Sequence, residues 1–117
     1  MTFKNSVTTV RVADWTTTPG PRERKHGPWS AEQFCEEVLG NLFESAIVSG
    51  GKVRVDLDGV AGYLPSFLEE TFGGLARRYG KDVVERHLDI VCDDDQMTKE
   101  EAWEYVRNPN PDKRPIS

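Results

Sequence analysis

The sequence predicts an α/β fold, a small mixed sheet with helices packed chiefly on one face, in the order β-α-β-α-β-α. Three observations carry this. Residues 52–58 alternate strictly, with Val53, Val55 and Leu57 on one side and Arg54, Asp56 and Asp58 on the other. Two longer stretches, 30–49 and 66–79, repeat apolar residues at helical spacing. Strand-like and helix-like segments take turns along the chain. A strand buried between two helical layers is apolar on both sides, so charge at every second position of 52–58 argues for a sheet covered on one side only.

The first element, residues 7–13, is rich in β-branched residues and places Val10 and Val12 opposite Thr9 and Arg11, as in a half-buried strand. Residues 15–29 hold Pro19, Gly20, Pro21, Gly27 and Pro28, which forbid a regular helix or a central strand. Such a long loop in a small domain is uncommon unless it has a task. Ser30 with Gln33 has capping-box spacing and opens the first long helix. Cys35, Val38, Leu39, Leu42 and Ala46 share its inner face, and Gly50-Gly51 end it.

After the strand at 52–58, a turn through Gly59, Gly62 and Pro65 leads to the second helix. Ser66 with Glu69 repeats the capping spacing, and Gly80 stands where a C-terminal cap belongs. On a regular 100° wheel, Leu68, Phe72, Leu75 and Tyr79 point to the sheet, Phe67 and Gly74 project sideways, and Glu70, Gly73 and Arg77 lie on the far face. Leu88, Ile90 and Cys92 alternate with His87 and Asp89 as a third strand, and Thr98 with Glu101 caps a last helix. Residues 1–107 are expected to form one domain, and the proline-rich 108–117 a disordered tail.

Composition narrows the function classes. The 117 residues include 20 acids and 15 bases, a formal charge of −5, which argues against a surface built for nucleic acid. No apolar run is long enough to span a membrane, and the first residues lack a signal-peptide pattern, so a cytoplasmic location is expected. Cys35 and Cys92 make neither a disulfide framework nor a zinc set, and both lie in apolar phases as core thiols. His26 and His87 have no partner at metal-binding spacing, and Asp93-Asp94-Asp95 lacks the alternation of a calcium loop, so no metal or other cofactor is expected. No phosphate loop, nucleophile elbow or dinucleotide fingerprint occurs. The expectation is a protein that is not an enzyme.

Two features invite a binding role. Gly73-Gly74 lies within a helix, where the pair costs about 2 kcal/mol relative to alanine. Either a neighbouring helix packs closely there, or another protein's backbone does, with Phe67 as an exposed anchor. Arg22-Glu23-Arg24-Lys25-His26 is the basic concentration of the chain. It is either a solvated loop or a grip for a phosphate, a nucleotide or an acidic partner surface.

The runs Val55-Asp56-Leu57-Asp58-Gly59, Gly62-Tyr63, Ser66-Phe67-Leu68-Glu69-Glu70 and Phe72-Gly73-Gly74-Leu75, with Gly20-Pro21-Arg22 and Gly27-Pro28-Trp29-Ser30 upstream, resemble the bacterial STAS-like domain family of unknown function. That family is similar to the STAS domains of anti-sigma factor antagonists and sulfate transporters. The resemblance implies a sheet with helices mainly on one face and a non-enzymatic interaction module in signalling. Its partner would be a protein such as an ATP-binding kinase or anti-sigma factor. In the antagonists a serine in an Asp-Ser-Ser-Gly motif is phosphorylated. Here that motif falls on Leu64-Pro65-Ser66-Phe67, which keeps only the second serine. Ser66 is therefore either a helix cap or a residual phosphorylation site, with the helix dipole favouring a phosphate there.

The partner-binding surface expected from all this comprises Gly62, Tyr63, Pro65, Ser66, Phe67, Glu70, Gly73 and Gly74, with Arg22 and Arg24 beside it. The alternative is a small-ligand or nucleotide sensor using the helix start at Ser66 and the loop 22–26. Association into a homodimer is compatible with either.

Overall fold

The computed structural model describes residues 6–109, so the expected tail 108–117 lies, but for its first two residues, outside the described residues. Its sheet has three strands, β1 (Val7–Arg11), β2 (Lys52–Asp56) and β3 (Leu88–Val91), in the order β1-β2-β3, and both pairings are parallel. Register aligns Thr8, Val53 and Leu88 across one face, then Val10, Val55 and Ile90. Val53, Val55 and Ile90 are completely buried, each contributing about 1.5–3 kcal/mol by leaving water. The other face carries Thr9, Arg54 and Asp89 in one row and Arg11 and Asp56 in the next. These rows are held by ion pairs, Arg54 Nε to Asp89 Oδ2 at 2.8 Å and Arg11 Nε to Asp56 Oδ2 at 3.6 Å. The helices cover the apolar face, as the alternation of β2 requires.

Between β1 and β2 lie a short helix α1 (Val12–Trp15), a loop with one 3₁₀ turn (Arg24–His26), and the long helix α2 over residues 31–49. The strand expected over 7–13 stops at Arg11, because Val12 turns into α1 and buries its side chain there. Ser30 caps α2 as expected, its Oγ accepting from Gln33 N–H at 3.0 Å. The return bond goes one residue upstream, from Trp29 N–H to Gln33 Oε1. Gly50, at φ 81°, closes α2 in the left-handed conformation that glycine tolerates.

Helix α3 spans residues 65–79, α4 is Lys81–His87 and α5 is Gln96–Arg107. Both long helices widen into a π turn, α2 at Cys35–Leu39 and α3 at Glu69–Gly73. Three local expectations change. α3 starts at Pro65, with Leu64 as its cap residue and no side-chain cap, so Ser66 lies inside the first turn. α5 is capped by Asp95, whose carboxylate accepts from Met97 N–H and Thr98 Oγ1–H, rather than by Thr98. His87 ends α4 and is buried, with Nδ1 2.8 Å from the Gly51 carbonyl.

α3 packs mainly on other helices: on α5 along its π turn, on the first turn of α2, and on α4 at its far end. That surrounds it. Phe67, Leu68, Glu69, Thr71, Phe72, Gly73, Leu75 and Ala76 are all buried. A helix hemmed in on three sides has no single inner arc, so the one-face reading from the wheel does not hold for it. Tyr79 at its end ties it to α2, with its hydroxyl donating to Glu44 Oε2 at 2.8 Å and its ring 5.1 Å from Phe43.

Candidate functional site

The residues singled out by the sequence gather at the end of the sheet where the parallel strands finish, the usual side for sites in α/β proteins. The turn from β2 to α3 is pinned by hydrogen bonds. Asp58 Oδ1 accepts from Asp94 N–H at 2.7 Å, and Gly59 N–H donates to Asp94 Oδ2 at 3.2 Å. The backbone amides of Asp94 and Asp93 hold the Asp58 carboxyl below its ordinary value. Gly59 has φ 88°, and a Cβ there would meet Arg11 Nη2 at 2.9 Å and Ala13 Cβ at 3.1 Å. Only glycine fits that corner.

Beyond this corner, Ala61, Gly62, Leu64 and Pro65 are exposed, Leu64 by 50%. Tyr63 turns inward between them. Its hydroxyl donates to the Leu57 carbonyl at 2.9 Å, and its ring stands 5.9 Å from that of Phe67. Burial pushes the phenol up, with nearby Asp56 and Asp58 adding to the effect. Phe67 is not the exposed anchor that the wheel suggested. It is 1% exposed and lies in a chain of rings running from Trp29 through Trp15 and Phe34 to Phe67 and Tyr63. Trp29, at φ 59°, is held by this stacking and by its bond to Gln33.

The loop before α2 docks on α3 through Arg22. Its Nη1 lies 2.6 Å from Glu69 Oε1 and 3.3 Å from Glu70 Oε1. Arg77, two turns further along α3, pairs with the second oxygen of Glu69 and reaches Glu70 at 3.5 Å. Glu69 is buried, its carboxylate shared by two arginines. Arg24 pairs with Glu36 at 2.8 Å and Glu37 at 3.4 Å on α2. Arg22 and Arg24 thus each pair with carboxylates of the same chain, while Arg24, Lys25 and His26 stay exposed.

Gly73 has a further reason that neither expectation named. A Cβ there would come 2.5 Å from Glu69 Oε2 and 3.3 Å from Arg77 Nη1, so the missing side chain leaves room for an ion pair within α3 itself. Gly74 is open by comparison, its nearest heavy atoms 3.9 Å away or more. Glu70 is half-buried and points toward the same cluster. Ser66, half-buried in the first turn, lies beside the exposed rim.

The two cysteines face the interior. Cys35, at the start of the π turn in α2, keeps some exposed surface. Its thiol is nonetheless crowded by neighbouring groups, and that desolvation, with Glu70 and Glu36 nearby, pushes it up to about 12. Cys92 is buried and raised by the same cause. Among the described residues, no three His, Cys, Asp or Glu side chains come together as a metal site. Nor is any helix among them long and apolar enough to cross a membrane.

The sequence missed Glu69 as the hub, Arg77 as its second partner and Leu64 as the exposed apolar residue. Only Arg77 left a trace, as a base two turns from an acid on one helix. No curated protein and no solved structure matches the chain. The family model of the STAS-like domain of unknown function (DUF4325) matches residues 30–96, from the cap of α2 through β2, α3 and β3 to the start of α5. The chain belongs to that STAS-like family.

Proposed function

We propose that this chain is a non-enzymatic interaction module of bacterial signalling in the cytoplasm, and that it receives a protein partner at the turn 59–66. One observation carries the reading: an uncharged rim of Ala61, Gly62, Leu64 and Pro65 stands exposed on a rigid base. Beneath it, Tyr63 is bonded to Leu57 just past β2, Gly59 to the Asp94 loop, and Phe67 is locked in the ring stack. A pre-ordered apolar rim loses little entropy on binding, which favours recognition of another protein surface. The likeness to anti-sigma factor antagonists suggests an ATP-binding kinase or anti-sigma factor as that partner. Ser66, beside the rim and in the first turn of α3, is the residue such a kinase would modify.

A photo-crosslinking residue at position 64, with one at Glu85 on α4 as control, tests this in the native host. The expected result is one discrete adduct from position 64 and none from 85, lost on adding Leu64→Asp to a neighbouring-site crosslinker at Ala61. Equal labelling from both positions, or none from either, rejects the rim as the contact. Mass spectrometry of the Ser66 peptide after incubation with the captured kinase and ATP tests the phosphorylation separately.

A further inference from the structure

The opposite end of the sheet carries a second, unrelated surface. β1 is an edge strand, bonded to β2 alone among the described strands, and all its residues except Val10 are exposed. Ser6 gives its carbonyl to Lys52 N–H at 2.9 Å. By the alternation of a strand, the amides and carbonyls of Val7 and Thr9 then point away from the sheet. Above this edge, the last turns of α2 overhang the strand. A cleft of about 150 Å³ runs between them, with Ser6 and Thr8 on the strand side and Leu42, Ser45 and Ser49 on the helix side. Val48, next along α2, is 87% exposed.

We infer that this edge pairs with a second copy of the chain, β1 against β1 in antiparallel register, with α2 facing its counterpart across a twofold axis. Charge argues for self-pairing. Across a twofold axis each charged side chain near the axis faces its own copy, which a chain with 30% charged residues avoids at few places. The cleft is such a place, since among the described residues that line it Lys52, at its margin, is the one that carries charge. Register agrees. With Thr8 on the axis, Thr8 meets its own copy on the helix side, Ser6 meets Val10, and Val7 meets Thr9 on the other face, so no two charges are opposed. The outward groups of Val7 and Thr9 then bond each other, and Ser45, Ser49 and Val48 come under cover. An isologous contact of this kind closes at two copies.

The full-length protein is examined by analytical ultracentrifugation across concentration. The expected mass is twice 13.2 kDa, with dissociation at least about tenfold easier in Thr8→Lys, where a lysine faces its copy on the axis. Val48→Lys, at a site with almost no folded-state contacts, is the variant that keeps its fold and is expected to weaken the dimer likewise. Thr8→Cys is expected to form an intermolecular disulfide, since facing residues at such a position lie about 4.5 Å apart. A monomer up to about 1 mM overturns the inference. So does a dimer indifferent to both lysines, or a monomer whose edge is occupied by a different protein. The surface is remote from the turn 59–66, so Leu64→Asp leaves the mass unchanged and Val48→Lys leaves crosslinking at position 64 intact. The two proposals fail separately.

Discussion

Arg22 and Glu69, 47 residues apart in the chain, meet with Nη1 2.6 Å from Oε1, and the carboxylate they share with Arg77 is buried. This contact fastens a loop rich in proline and glycine to the helix that carries the candidate site. Removing the hub takes away the buried carboxylate and leaves the two guanidinium groups sharing the half-buried Glu70. Glu69→Ala is expected to cost about 2–4 kcal/mol in urea unfolding, a buried-pair cost reduced because both arginines retain solvent. Arg22→Ala, which leaves Arg77 in place, is expected to cost about 1–2 kcal/mol. In a double-mutant cycle the two effects are expected to be non-additive.

Gly73 and Gly74 are neighbours with opposite expected responses to alanine. At an ordinary helix position, glycine to alanine stabilises by about 1 kcal/mol. Gly74→Ala has open space and follows that rule. Gly73→Ala drives a methyl into the Glu69–Arg77 pair and is expected to destabilise by about 1–2 kcal/mol. Chemical denaturation of both variants reads the two signs directly.

Asp58 sets an acid dependence. Its carboxyl is held below the ordinary 3.8 by the amides of Asp94 and Asp93. A depressed carboxyl contributes stability that is fully present above its unfolded value and disappears as pH falls through the folded one. Asp58→Asn is therefore expected to lower the unfolding midpoint at pH 7, with the gap to wild type closing below about pH 4. A gap that persists into strong acid contradicts this account.

The thiols are expected to be inert in the native protein. Cys35 is pushed up to about 12 and Cys92 is raised and buried, so neither supplies thiolate at neutral pH. Labelling with a disulfide reagent at pH 7.5 is expected to run at least about 100-fold slower in buffer than in denaturant. A fast native phase contradicts the enclosed setting of Cys35.

Legibility in the sequence followed solvent exposure. β2 was readable because one of its faces meets water, so Arg54 and Asp56 mark the positions between Val53 and Val55. α3 was readable as a helix but not in its facing. Three neighbours surround it and its π turn shifts the phase, so Phe67 took a sideways position on a regular wheel while burying completely. α1 and α4 are too short to display a period. Capping was ambiguous where two candidates stood close together. Pro65 displaced Ser66 and Asp95 displaced Thr98, both by geometry that spacing alone does not rank. The contact of Arg22 with Glu69 had no sequence signal, because nothing local ties residues so far apart. The gathering of the loop, the turn and the start of α3 at one end of the sheet was legible, since parallel connections place them there.

The π turns in α2 and α3 bear on how this chain tolerates changes of length. In a regular helix, deleting one residue swings everything beyond it by about 100° and turns an inward side chain outward. At a π turn, the helix carries one residue more than its neighbours need. A deletion at a less buried position of either turn, such as Glu36 or Glu70, is expected to remove that surplus and to leave Phe43 or Leu75, further along, on the face it already occupies. The two helices thus hold their own reserve of length, in stretches that lead into Gly40 and into Gly73-Gly74.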